Sequence, residues 1–184
     1  MPLAFIVDGL TEKKIVQRLC QGVTVRTLSL NGKDVALPAL AKAAFSLIKL
    51  FKGRHYPVII IVDREGRNLS SQDIEVELTK LLIDLGVPDN DIIVCCPDRM
   101  IENWMLADDE YFEEIYDIKL TEAYEGTHGK RDIKQLLLRK KLSYHEIAVG
   151  VEIFCCIDPE RASNNSESFS RLRSRVGTYC AWLR

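Results

Sequence analysis

Four short apolar runs alternate with helix-period stretches through the first half of the chain, and this alternation limits the fold more than any other feature. The runs lie at residues 3–7, 23–27, 58–62 and 91–96. Between them, Ile15, Val16 and Leu19 share one helical face, as do Leu37, Leu40, Ala44, Leu47, Ile48 and Phe51 within 33–52; a third helix is predicted over 72–85. Thr11 offers a hydroxyl as N-cap of the first helix, Gly22, Gly53 and Gly86 are the stops, and Pro38 marks the first turn of the second helix. Parallel neighbours need long crossover connections, so this βαβαβαβ order predicts an α/β fold: a mainly parallel sheet flanked by helices.

Past Asp98 the pattern changes. Helical periodicity recurs at 100–106, 133–138 and 169–176, broken by Gly126, Gly129 and a predicted turn at Ser163, Asn164, Asn165 and Ser166. With no repeat, linker or low-complexity tract, residues 1–184 read as one domain. It has a βα core at 1–97 and a mostly helical part at 98–184 packed on it.

A hydrophobic content of 47% with 28% charged residues suits a soluble globular protein. The formal net charge of −2 excludes a global basic field, so affinity for nucleic acid must come from a local patch, a bound cation or a partner. The cysteines, Cys20, Cys95, Cys96, Cys155, Cys156 and Cys180, lack the C-x-x-C spacing of zinc or redox motifs. Buried, reduced thiols are the expectation, and with them a cytoplasmic location. No basic and apolar leader opens the sequence, and no apolar run approaches the roughly 20 residues of a membrane span, so no membrane association is expected.

Two acidic clusters stand just past predicted strands: Asp8 with Glu12, and Asp63 with Glu65. A parallel sheet presents the residues beyond its strand ends in one crevice, where distant carboxylates converge on a cation. Asp63 and Glu65, two residues apart, point to the same side of an extended strand end. Each cluster also has a plainer account: Glu12 stabilises a helix start, Gly9 serves a turn, and an acidic loop is simply solvated. A third acidic segment, residues 99–108, offers Glu102 as an additional acid, while Trp104 is expected in the core rather than as a stacking platform. For phosphate contacts the candidates are Lys13, Lys130, Arg171 and Arg175, the last two stacked at i and i+4 on a C-terminal helix whose ordinary alternative is a solvated face.

Taken together, four elements carry a resemblance. They are Asp-Gly-x-Thr-Glu at 8–12, Val-Asp-Arg-Glu-x-Arg at 62–67, Arg-Met-x-Glu-Asn-Trp-x-x-Ala-Asp at 99–108 and Asp-Pro-x-Arg-x-x-x-Asn-Ser-x-Ser-Phe at 158–169. The chain resembles the DUF4276 family over nearly its whole length, and that family is similar to Toprim domains. The resemblance implies a Toprim-like fold related to overcoming-lysogenization-defect nucleases. It also implies Mg2+ or Mn2+ as cofactor, action on DNA or RNA phosphodiesters, and a defence or mobile-element setting with an ABC-type ATPase partner. By position Asp8 takes the strand-end Glu role, Glu12 the helix acid, and Asp63 and Glu65 the Asp-x-Asp pair. Asp8 is one methylene shorter than the usual Glu and Glu65 one longer than the usual Asp.

The expected activity is therefore a metal-dependent nuclease with Asp8, Glu12, Asp63 and Glu65 as ligands and catalytic groups. The alternative is a catalytically inactive Toprim-like subunit that docks on an ATPase or on another copy of itself. Other motifs fail. Gly126 to Lys130 is not a P-loop, since two residues rather than four separate its glycines and Arg131 follows the lysine. A dehalogenase-type phosphohydrolase needs an Asp where Leu10 stands. His55, His128 and His145 lack metal-ligand spacing and are expected to be non-catalytic.

Overall fold

The computed structural model describes residues 2–30, 35–51 and 53–184. Strands β1 (Ala4–Val7), β2 (Thr24–Thr27), β3 (Val58–Ile61) and β4 (Ile92–Cys95) form one parallel sheet in the order β2-β1-β3-β4. Helices α1 (Leu10–Leu19), α2 (Leu37–Leu50) and α3 (Ser71–Asp84) make the crossovers. The second half supplies α4 (Ile101–Met105), α5 (Asp109–Tyr116), α6 (Gly129–Arg139), α7 (Val151–Cys156), α8 (Pro159–Asn165) and α9 (Glu167–Val176). A π-helical turn over Glu146–Gly150 runs directly into α7.

The pleat divides the core in two. Phe5, Val7, Ile59, Ile61 and Cys95 pack with α1 and with Trp104, Phe112, Ile133, Phe154 and Phe169 of the second half. Their neighbours Ala4, Ile6, Val58, Ile60, Val94 and Cys96 face α2 and α3. Strands buried on both sides must be apolar at every position, which is why they appear in the sequence as unbroken runs. Trp104 is fully buried, its Nε1 donating to Ser168 Oγ at 2.8 Å and its ring edge-on to Phe169.

Topology places the site. The chain leaves β1 for β2 on one side, then crosses back to lay β3 on the other, so the strand order reverses between β1 and β3. Val7 is level with Ile61 across this pair, and the residues just beyond both strand ends open into the crevice where parallel sheets bind ligands.

Several local expectations are corrected. Gly9, not Thr11, is the N-cap of α1, because Glu12 three residues on reaches back to the Gly9 amide while Thr11 is buried in the first turn. Helix α2 has Pro38 in its first turn as expected, while Lys33 and Lys52 lie outside the described residues. Ser163, Asn164 and Asn165 continue helix α8, which Asp158 caps, and Ser166 then caps α9 by accepting from the Phe169 amide at 3.1 Å. Gly129 opens α6 rather than separating helices. The thiols are not all buried and reduced. Cys20 is bonded to Cys180, Cys155 is half-buried and Cys156 exposed, while Cys95 and Cys96 are buried free thiols. Among the described residues, no helix is long and apolar enough to cross a membrane.

Candidate functional site

Beyond the C-terminal ends of β1 and β3 lies an open cavity of about 840 Å³. Asp8, Glu12, Asp63, Glu65 and Glu102 all line it, carried by the end of β1, the first turn of α1, the loop after β3 and α4. The acids predicted from separate stretches of sequence thus share one pocket.

Their charges act on one another. Burial pushes the Glu12 carboxyl up to about 7, helped by Asp8 and Glu102 and opposed by the amides of Glu12 and Gly9. Asp63 is held well above the usual carboxylate range by burial, then by Glu12, Glu102, Asp8 and Glu65. Asp8 is raised by burial and by Glu65, against the pull of Arg67. Glu102 is raised by burial and relieved by its own backbone, by Tyr144 and by Lys130. Carboxyls held above their ordinary range at a crevice are groups poised for proton transfer or for a cation.

Asp63 sits on a braced loop. Arg67 Nη1 donates to the carbonyls of Asp63 at 2.8 Å and Arg64 at 3.1 Å, its Nη2 reaches Val35 O at 2.8 Å, and Arg64 Nε lies 2.6 Å from Asp98 Oδ1. Glu65 has φ +55° and donates its amide to Arg99 O at 2.7 Å, while Arg99 itself has φ +100°. Two non-glycine residues in this sparsely populated region mark a strained rim, as functional loops often show. The expectation that Asp63 and Glu65 extend side by side from a strand is corrected. β3 ends at Ile61, and the loop turns through the left-handed Glu65 instead of continuing extended. Both carboxylates still enter the cavity.

The donor set suits a hard divalent cation in its chemistry, since carboxylate oxygens are the preferred ligands of Mg2+ and Mn2+. Asp63 Oδ1 is buried and accepts no hydrogen bond among the described residues. Other oxygens are engaged: Glu12 Oε2 accepts from the Gly9 amide at 3.0 Å and Glu102 Oε1 from the Tyr144 hydroxyl at 3.1 Å. Among the described residues, no three His, Cys, Asp or Glu side chains stand as a group that could hold a metal ion. Ligation at this cluster requires side-chain rotation.

Lys130, Lys134, His128 and His145 line the same cavity, as does Glu146, with which Lys130 is paired. Lys13 is not among the lining residues. Arg171 and Arg175 are elsewhere, holding α9 to α3 and β4. Arg171 reaches Glu75 Oε2 at 3.2 Å and Ser71 Oγ at 2.7 Å, and Arg175 reaches the same Glu75 oxygen at 3.3 Å and Val94 O at 2.7 Å. These guanidinia neutralise a buried carboxylate. Asp108, fully buried, likewise caps α5 and pairs with Arg161 at 2.7 Å.

Tyr144, Lys134, His128 and His145 are cavity residues that sequence reasoning did not assign to the site. Tyr144 meets Glu102 across 42 positions, and the histidines carry no ligand spacing. Set against known proteins, the chain matches no family model, no curated protein and no solved structure.

Proposed function

We propose that this protein is a divalent-metal-dependent hydrolase acting on nucleic-acid phosphodiesters. The observation that carries the reading is the convergence of Asp8, Glu12, Asp63, Glu65 and Glu102 from separate segments at the β1/β3 crevice, with the buried Asp63 Oδ1 left without a hydrogen-bond partner among the described residues. Asp63, Asp8, Glu12 and Glu65 are the residues to hold Mg2+ or Mn2+, with Glu102 as a further acid. A bound ion of this kind supplies charge neutralisation on phosphate and an activated water. In the same cavity Lys134, and Lys130 beside its partner Glu146, offer positive charge to a phosphate on a protein whose net charge gives no general attraction for one. Without an ion the Glu12 carboxyl stands up at about 7, so binding a divalent ion there would release a proton near neutral pH.

The Toprim-like assignment, membership of the DUF4276 family, an ABC-type ATPase partner, self-association and a cytoplasmic setting belong to the same proposal. The Cys20–Cys180 bond runs against a strongly reducing compartment.

A second reading, a non-catalytic binding subunit, is favoured by one observation. Glu12 and Glu102 already have oxygens bonded within the protein, and no ligating triad is formed among the described residues. Cleavage assays with Mn2+ on single- and double-stranded DNA and RNA separate the two. Turnover by the wild-type protein that is lost in Asp63→Asn, with the thermal melt preserved, supports the hydrolase. Equal activity in both proteins, or none on any substrate, counts against it.

A further inference from the structure

Gly150 is a helical residue, with φ −63° and ψ −43°, so its backbone has no need of glycine, and glycine weakens a helix. Space supplies the reason. A Cβ at position 150 would lie 2.6 Å from the Tyr144 hydroxyl, closer than a methyl group tolerates, and 3.2 Å from its Cζ, a tight contact that a shift of a few tenths of an ångström relieves. That hydroxyl is the group that donates to Glu102 Oε1 at 3.1 Å, with Met105 Sδ at 3.9 Å as its other neighbour.

The segment between the two residues is shaped for the contact. Val149 and Gly150 both donate to the His145 carbonyl, at 2.7 and 3.1 Å, and the five-residue π-turn so formed brings Gly150 back against the hydroxyl end of Tyr144. Wide turns of this type are rare and concentrate at functional sites. Tyr144 is 8% exposed and lines the acidic cavity.

From this geometry we infer that Tyr144 is a positioning residue of the acid site, fixing the Glu102 carboxyl in the cavity wall, and that Gly150 is the empty space that lets its hydroxyl reach there. Its consequence for turnover rests on the hydrolase reading; the arrangement of Tyr144, Glu102 and Gly150 does not. Among the acids of the cavity, its hydroxyl bonds to Glu102, through which it acts.

The test uses Tyr144→Phe, Gly150→Ala and the double variant of the full chain, with two readouts. With Glu102 taken as the further acid facing the bound ion, calorimetric titration with Mn2+ should show each single variant binding more weakly, by up to about 10-fold, the usual scale for losing a residue that orients a ligand. The double variant should bind no more weakly than Tyr144→Phe alone, because the atom that the new methyl group displaces is already gone. Multiplying losses would overturn the inference. Crystal structures of the metal-free wild type and Tyr144→Phe, which keeps the ring and its packing, should show the Glu102 carboxyl turned from its wild-type position. An unmoved Glu102 would overturn it independently. Wild-type protein that binds no Mn2+ would instead refute the metal reading, and the crystallographic comparison then decides the role of Tyr144.

Discussion

The Glu12 carboxylate folds back on Gly9: its Oε2 accepts from the Gly9 amide at 3.0 Å and lies 2.9 Å from where a Cβ on residue 9 would stand. One short contact thus closes the first turn of α1 and aims an acid at the cavity. Gly9 has φ −132°, open to any residue, so the requirement at this position is room for the carboxylate.

Gly9→Ala is expected to push Glu12 out of this position. Stability should fall by about 1 kcal/mol through the lost helix cap, and Mn2+ affinity by about 10-fold through the displaced acid. Urea unfolding and calorimetry on one preparation measure both. Unchanged values would mean that Glu12 has no fixed role in the site.

The raised Glu12 carboxyl makes stability depend on pH with a definite sign. Between about pH 4.5 and 7 the folded protein keeps this proton while the unfolded chain has released it, so the contribution is greatest below 4.5 and is lost as pH rises through 7. The whole effect is on the order of 3 kcal/mol. Glu12→Gln removes it. The stability difference between wild type and this variant, followed by urea titration from pH 4 to 8, should move in favour of the variant as pH rises. A flat difference would contradict the shift.

Arg171 offers a test of what the C-terminal arginines do. Arg171→Ala leaves the buried Glu75 with Arg175 alone and should lower stability by about 2 kcal/mol, less than the loss of a sole buried partner. Cleavage by the folded protein should stay within about twofold of wild type, since Arg171 does not line the acidic cavity. Lost turnover at unchanged stability would return this residue to substrate binding.

The sheet and the first acids were legible in the sequence for a physical reason. Strands covered on both faces must be apolar throughout, and topology sends the residues after β1 and β3 to one crevice, so Asp8 and Asp63 could be paired without coordinates. What escaped was short or distant. Helices α5, α7 and α8 have eight residues or fewer and too few turns for periodicity to register. Arg171 looked free because its partner Glu75 stands 96 positions away, and Cys20 finds Cys180 across 160. The left-handed turn at Glu65 has no residue signature, since glycine or asparagine would be the usual occupant.

That disulfide joins the end of α1 to the C-terminal segment and closes a loop of 160 positions. Chain-entropy reasoning puts its stabilisation on the order of 5 kcal/mol. Dithiothreitol, or the pair of substitutions Cys20→Ser and Cys180→Ser, should lower the melting temperature strongly. A melt indifferent to reductant would mean that the bond does not form in solution.

The central claim, that carboxylates from separate segments act together on one divalent ion, is tested most directly by calorimetric titration of Mn2+ into the wild-type protein and Asp63→Asn. Stoichiometric binding by the wild type should disappear in the variant, with folding intact in both. No binding by the wild type, or equal binding by the two, would contradict it.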